Sequence, residues 1–224
     1  MGKHGSDYVR PDKDFFPTPA WVVEALAQHV NLKGKRIWEC ACGTGEMAEA
    51  LLSCGATVYA TDVVDRGDKK QAGSLDFLAD SIAPVQEFDG IVTNPPFGPR
   101  GKLGEAFIES GLRRIKDAGF LCLLLPSDFD AASTRARLFG DCPQFVAKIT
   151  LRKRIKWFDR PVPCRPCGGT GKIDGATCLS CKGKGEKMVG PKENHCWMVW
   201  QSNLVSQRRA PLIMYSPVDA WRAA

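Results

Sequence analysis

Residues 36–55 read RIWECACGTGEMAEALLSCG. A short apolar run leads into a loop with Gly43 and Gly45, and then into a segment whose Met47, Ala50 and Leu51 recur at helical spacing until Gly55 stops it. Glycines let the chain turn tightly from strand to helix and let the backbone approach a ligand at the carboxyl end of the strand. The alternation continues outward. ATVYAT (56–61), FDGIVT (88–93) and GFLCLLL (119–125) read as further buried strands, and KLGEAFIESGLRRIKD (102–117) and ASTRARLFGD (132–141) as helices. Upstream, Thr18-Pro19 offers an N-cap and a proline at the first helical position for a helix over about 19–30. This order predicts an α/β fold, a Rossmann-like doubly wound parallel sheet with helices on both faces.

The end of the chain follows another rule. FVAKITLRKRIKWF (145–158) reads as one long strand and NHCWMVWQ (194–201) as a second, with no helical pattern between them. Strands joined without a crossover helix pair antiparallel. The predicted organisation is a flexible arm (1–14), an α/β domain (15–158 and 194–203), an insert in the final hairpin (159–193) and a tail (204–224) wrapped over the surface.

With 224 residues, 44% hydrophobic and 25% charged, the composition is globular and excludes collagen-like, disordered and coiled-coil classes. No apolar run approaches the ~20 residues of a transmembrane helix, and the first residues lack a secretory apolar stretch. A soluble cytoplasmic protein with no membrane partner is expected, in which the ten cysteines are thiols or metal thiolates rather than disulfides.

Charge is unevenly placed. Between Lys148 and Lys192 twelve Lys or Arg stand against three acids, a net +9 in a chain of net +6. Such a segment fits a polyanionic partner, nucleic acid above all. Strand alternation over 148–157 would put Arg152, Arg154 and Lys156 on one face with Lys148, and Lys153 on the other with Ile149, Leu151, Ile155 and Trp157. The first three are the candidate nucleic-acid-binding residues.

Within the insert, Cys164-Arg165-Pro166-Cys167-Gly168-Gly169-Thr170-Gly171 and Cys178-Leu179-Ser180-Cys181-Lys182-Gly183-Lys184-Gly185 both fit CxxCxGxG. Two such pairs offer Cys164, Cys167, Cys178 and Cys181 to one tetrahedral Zn²⁺, structural because four thiolates leave no open position. Metal would organise a segment that has no apolar core. The other six cysteines read as small core residues, and His4, His29 and His195 as incidental.

Three features suggest an adenosine-containing ligand: the Glu39–Gly45 loop, Asp62 at the end of the second strand as a ribose acceptor, and Asp76-Phe77 after a third strand, a carboxylate for an amine beside a ring for stacking. The sharpest signal is Asn94-Pro95-Pro96-Phe97 after FDGIVT. Its prolines stiffen the loop and donate nothing, so the Asn94 side-chain oxygen and the Pro95 carbonyl are acceptors for an NH₂ group. Held off the plane, two acceptors would draw the nitrogen toward tetrahedral geometry and stabilise its developing charge, while Phe97 stacks on the substrate.

This arrangement resembles the class I AdoMet-dependent methyltransferases, in particular the amino-methyltransferases of adenine N6 in DNA, over roughly 15–157 and 194–203. The resemblance implies a seven-stranded sheet with the last strand antiparallel, and S-adenosyl-L-methionine as cofactor. It implies that Phe16, Pro17 and Thr18 border the methionine end, that Glu39, Gly43 and Gly45 frame the cofactor, that Asp62 binds ribose, and that Asp76 and Phe77 contact adenine. Asn94, Pro95, Pro96 and Phe97 would bind the target amine. Similar tetrapeptides occur in enzymes acting on RNA guanine N2 or protein glutamine, so those substrates stay open, as does a non-catalytic zinc-stabilised binding module. The insert resembles the zinc module of the DnaJ co-chaperones.

Overall fold

The computed structural model describes residues 16–65, 71–79, 88–157, 161–188, 193–202 and 211–216; the expected arm and most of the tail lie outside them. These residues fall into two compact units, one from Pro17–Ile155 and Glu193–Ala224, the other from Met1–Phe16 and Lys156–Lys192.

The larger unit is α/β. Its elements are α1 (Ala20–Ala27), β1 (Arg36–Glu39), α2 (Glu46–Ser53), β2 (Thr57–Asp62), β3 (Gln71–Ser74), β4 (Gly90–Thr93), α3 (Lys102–Arg114), β5 (Phe120–Pro126) and β6 (Phe145–Thr150). In the smaller unit, β7 (Val162–Pro163), β8 (Lys172–Ile173), β9 (Ala176–Thr177) and β10 (Glu186–Lys187) follow, before β11 (His195–Gln201) and β12 (Leu212–Tyr215) return to the sheet. The sheet order is β12-β6-β11-β5-β4-β1-β2-β3. Strand β11 runs antiparallel to both β5 and β6, and the other pairings are parallel. The expected seven-stranded sheet with its last strand antiparallel is thus present. It is widened by β12, which the sequence assigned to the surface tail; Leu212–Tyr215 pairs with β6 in register from Ala147 to Thr150.

Side-chain alternation divides the core between two faces. Leu121, Leu123 and Leu125 of β5 and Met198 and Trp200 of β11 pack with Phe107 and Ile108 of α3. Trp197, of opposite parity, meets α1, and its indole N–H donates to the Val22 carbonyl at 2.8 Å. The Trp200 N–H donates to the Leu138 carbonyl at 2.8 Å, so both buried indoles are satisfied. Among the described residues no helix is long and apolar enough to cross a membrane.

Two expected elements are shorter or different. The strand expected over 145–158 ends at Thr150, because β11 begins at His195 and offers no partner beyond it. The next N–H groups donate instead to the His195 carbonyl, from Leu151, and to the Ser216 hydroxyl, from Arg152. The helix expected over 132–141 is a 3₁₀ segment, Ser133–Leu138, after a 3₁₀ turn at Phe129–Ala131. Arg135 holds it there. Its guanidinium donates to the Phe129 and Arg100 carbonyls at 2.9 and 2.7 Å, pairs with Glu105 at 3.0 Å and lies 3.8 Å over the Phe129 ring.

In the smaller unit, β7 pairs with β10 and β8 with β9, all antiparallel. Its buried residues among those described are the four motif cysteines, Gly171 and Gly185. Its described residues form no apolar core beyond the cysteines, as the sequence indicated.

Candidate functional site

The parallel strands deliver their carboxyl ends to one rim of the sheet. At that rim β1 ends in Glu39, 1% exposed. Oε1 accepts from the Ala41 N–H at 3.2 Å and from the Thr93 hydroxyl, at the end of β4. Oε2 is buried with no hydrogen-bond partner among the described residues. Burial pushes the Glu39 carboxyl up to about 8; the Thr93 and Ala41 bonds pull it down, and the Asp62 charge adds a smaller rise. A buried carboxyl with one unsatisfied oxygen is costly unless a donor, best a cationic one, completes it.

The glycine loop follows. Gly43 and Gly45 have φ of 58° and 87°, a left-handed backbone that side chains disfavour. The Gly43 N–H donates to Asp62 Oδ2 at 2.9 Å, and the Val64 N–H to Oδ1 at 2.9 Å. Asp62, buried at the end of β2, therefore clamps the loop as well as facing the rim; each oxygen keeps further lone-pair capacity. The Leu75 N–H donates to the Asp62 carbonyl at 2.8 Å, which brings the 75–79 turn beside the loop.

In that turn Asp76 is exposed and its Oδ1 caps the Leu78 N–H at 2.9 Å. Phe77 departs from the stacking role expected of it. Its ring is 2% exposed, edge-on to Trp38 at 5.1 Å and beside Phe107 at 5.0 Å, with the Arg114 guanidinium 5.4 Å over it. The Ser110 hydroxyl and Arg114 of α3 hold the turn through the carbonyls of Phe77 and Ala79. A phenyl ring gains more from this aromatic core than from the rim.

Asn94-Pro95-Pro96-Phe97 continues directly from Thr93. The Asn94 amide N–H donates to the Thr18 hydroxyl at 3.1 Å, which sets the amide plane. Thr18 was expected to cap α1; instead Pro19 holds the cap position with no side-chain bond, and the Thr18 hydroxyl, 4% exposed as a residue, serves Asn94. Pro17 and Pro19 flank it. No hydrogen bond reaches the Pro95 carbonyl from the described residues. The Phe97 carbonyl accepts from the Leu103 N–H at 3.1 Å, tying the tetrapeptide to the start of α3.

Sequence reasoning missed one rim residue. His195, set aside as incidental, lies against Phe97 with ring centroids 6.3 Å apart and planes 24° from parallel. Burial lowers its pKa to about 4, so the ring is neutral at pH 7. The available signal was topological: an antiparallel last strand starts at the rim where its parallel neighbours end, and His195 pairs with Pro126.

Of the basic candidates, Arg152 and Arg154 are exposed in the larger unit, and Arg154 donates to Asn194 at 3.0 Å. Lys156 is exposed in the smaller unit, where Phe16 also belongs and packs on Trp157 at 5.5 Å. The two-faced stripe is corrected in detail. With β6 ending at Thr150, Lys153 is exposed, 5.4 Å from the Trp21 ring, and Lys148 is engaged by Asp130 at 2.9 Å and the Ser127 carbonyl at 2.7 Å.

The four motif cysteines form a second centre. Their Sγ atoms all lie within 4.8 Å of one another, with Cys164–Cys178 at 3.9 Å and Cys167–Cys181 at 3.7 Å. A zinc tetrathiolate with bonds of about 2.3 Å has sulfur–sulfur edges of about 3.8 Å, so the cluster fits such an ion and is too wide for disulfides. The N–H groups of Gly171 and Gly185 each donate to a sulfur, Cys167 and Cys181, at 3.3 Å. Burial pulls the Cys167 thiol up, but the Gly171 N–H and the neighbouring thiols outweigh it and leave it at about 7. A Cβ on Gly171 would collide with the Gly183 carbonyl and one on Gly185 with the Gly169 carbonyl, so both positions require glycine. Of the remaining cysteines, Cys40, Cys42, Cys122 and Cys196 are buried and Cys54 and Cys142 half-buried. Burial raises the Cys40, Cys122 and Cys196 thiols well above their ordinary value, which leaves them unreactive.

The sheet order is that of a Rossmann-like α/β fold, seven strands with β11 antiparallel, widened by β12. Solved structures assigned as methyltransferases share this fold. One from Listeria monocytogenes, assigned to the class I S-adenosylmethionine-dependent methyltransferases, has a TM-score of 0.51 at 17% identity over 95% of this chain and 67% of its own. An assigned RNA methyltransferase from Pyrococcus horikoshii has a TM-score of 0.53 at 13% identity over 91% of this chain and 94% of its own. A predicted O-methyltransferase from Agrobacterium tumefaciens has a TM-score of 0.50 at 13% identity over 88% and 86%. No protein-family model and no curated protein matches the chain.

Proposed function

We propose that the protein is an AdoMet-dependent methyltransferase acting on an exocyclic amino group of a nucleic-acid base, with adenine N6 in DNA as the leading target. The observation that carries this reading is the joining of two sites at one rim. Thr93 bonds Glu39, at the head of the glycine loop, and the next residue, Asn94, is oriented by Thr18.

Glu39, Gly43, Gly45, Asp62 and Asp76 would hold the cofactor, with Pro17 and Thr18 at its methionine end and Phe16 beside them. Glu39 Oε2 suits an ammonium group, Asp62 the ribose hydroxyls and Asp76 the adenine amine. Phe77 would contribute through its backbone, since its ring belongs to the core. Bound there, AdoMet would supply an electrophilic methyl group from its sulfonium, the S–CH₃ bond breaking to leave the neutral thioether. Asn94 Oδ1 and the Pro95 carbonyl accept the two amine N–H bonds, localise the nitrogen lone pair and stabilise its positive charge as the new N–C bond forms. Pro96 keeps Pro95 extended, and Phe97, backed by His195, orients the base. The amine proton leaves after transfer, so no residue need remove it beforehand. Arg152, Arg154 and Lys156 would meet the phosphate backbone. A reducing cytoplasmic setting would keep the four thiols of the insert available to zinc.

A second reading places the target base in RNA, favoured by the likeness to the assigned RNA methyltransferase. Methyl-labelled AdoMet offered with separate DNA, RNA and protein pools tests both. Label in DNA adenine supports the first and label in RNA the second; transfer to protein alone, or to none of the three, overturns the nucleic-acid assignment.

Glu39 adds a pH signature. Its folded pKa of about 8 lies above the unfolded value, so its contribution to stability is fully present below about pH 4.5 and is lost as pH rises through 8. An ammonium on Oε2 would require the ionised form, so cofactor binding should release a proton and tighten from pH 6 to 8. Calorimetry should show this slope in the wild type. Glu39→Gln should bind AdoMet weakly with a flat profile, while its stability above pH 8 exceeds that of the wild type by on the order of a few kcal/mol.

A further inference from the structure

The two CxxCxGxG repeats are backbone twins 14 residues apart. The Cys164 N–H donates to the Gly185 carbonyl and the Cys178 N–H to the Gly171 carbonyl, both at 2.8 Å. The side chains break this symmetry on one knuckle. Where the first repeat has Gly168 at φ 57°, the second has Lys182 at φ 53°, a left-handed conformation that disfavours a side chain. Where the first has Thr170, whose hydroxyl is spent on the Cys167 and Lys172 carbonyls, the second has exposed Lys184. Leu179, between Cys178 and Cys181, is 91% exposed. Beside it the Ser180 hydroxyl accepts from the Lys187 ammonium at 3.0 Å, which brings a third cation to the knuckle. No carboxylate among the described residues pairs with Lys182 or Lys184.

An exposed leucine in the same knuckle as two lysines that pair with no carboxylate among the described residues, one of them in a left-handed backbone, is poorly explained by folding, because the twin repeat closes the same turn with glycine and threonine. We propose that this knuckle is a contact surface for single-stranded nucleic acid, with Leu179 against an unstacked base and Lys182 and Lys184 against phosphates. Single strands present flat apolar base faces alternating with negative charge, whereas a duplex hides its base faces in the stack. A purely acidic chain such as polyglutamate would match the lysines but has no apolar face for Leu179. The inference rests on the nucleic-acid reading of the substrate and assigns a binding role to residues outside the site at the sheet rim.

Full-length, zinc-loaded protein should be titrated by fluorescence anisotropy against labelled oligo-dT, oligo-U and a duplex of equal length over a range of salt. Lys182→Ala with Lys184→Ala should weaken single-strand binding about tenfold at low salt and reduce the slope of log K against log salt by about 1.4, two phosphate contacts at about 0.7 each. Leu179→Ser should cost about fivefold with an unchanged slope. Lys182→Gly should weaken binding while leaving the melting temperature equal or higher, a split that a merely structural lysine would not show. Wild-type affinity and slope in the double variant at full zinc content would overturn the proposal. So would duplex binding as tight as single-strand binding, or polyglutamate competing as well as unlabelled oligonucleotide. Label transfer is measured in parallel on the same preparations. Binding with this slope but no methylation of any pool would remove the transferase reading alone, and methylation with unaltered binding in the variants would remove this one alone.

Discussion

Asn94→Ala should lower methyl transfer by about 10² to 10³-fold, the range seen when one preorganised polar contact to a developing charge is removed, and should leave AdoMet affinity within a few-fold of wild type. The split follows from where the residue sits. Most cofactor candidates lie on β1, the glycine loop, β2 and the turn after β3, whereas Asn94 starts the loop after β4 and touches the candidate set through Thr18, at the expected methionine end. Removing its amide takes away an acceptor for the amine but leaves the Thr93–Glu39 bond and the Gly43–Asp62 clamp in place. Asn94→Asp keeps the oxygen but loses the N–H that Thr18 fixes, so it should recover part of the rate. Thr18→Val, which keeps the shape and removes the acceptor, should cost about tenfold in rate by freeing the amide plane. Equal loss of cofactor binding and turnover in Asn94→Ala, followed by equilibrium dialysis and single-turnover label transfer, would show that Asn94 belongs to the cofactor cradle.

Chelation or loss of one ligand should unfold the small unit and spare the large one. Elemental analysis should give one zinc per chain, and Cys167→Ser or Cys181→Ser should reduce it to near zero. Structural zinc in small peptide sites contributes about 10–16 kcal/mol, and here the four sulfurs with two glycines are all that is buried among the described residues of the unit. Hydrogen exchange over 161–188 should therefore lose its protection with the metal. The fluorescence of buried Trp38, Trp197 and Trp200 should stay native, because Trp38 packs on Phe77, Trp197 bonds Val22 and Trp200 bonds Leu138, all residues of the α/β unit. Cys54→Ser, at a half-buried thiol that caps the C-terminus of α2 and is not one of the four clustered cysteines, is the control and should keep full zinc content. Persistent protection of 161–188 in metal-free protein would overturn the structural role of the ion.

What could be read in advance was whatever repeats at short range. The periodicity of 36–55 yields β1, the glycine loop and α2, because strand and helix patterns are set by neighbours one to four residues away. Spacing alone places four sulfurs together in the insert, since the two CxxCxGxG runs carry their own turns and hydrogen bonds to sulfur. The acceptor character of Asn94-Pro95 is likewise a property of the residues themselves.

The tertiary structure decided how shared groups are allotted. Thr18 had the right chemistry to cap α1, yet its hydroxyl serves Asn94, 76 residues away. Phe77 could as well have stacked at the rim, but Trp38 of β1 and Phe107 and Arg114 of α3 converge on it and bury it. His195 gained its place against Phe97 only when β11 reversed direction beside β5. The strand after Thr150 ended because its neighbour ended, which no local pattern records. Local sequence settles backbone conformation and donor inventory; which partner each buried donor, ring or carboxyl finally meets depends on contacts distant along the chain, where competition for burial outweighs local preference.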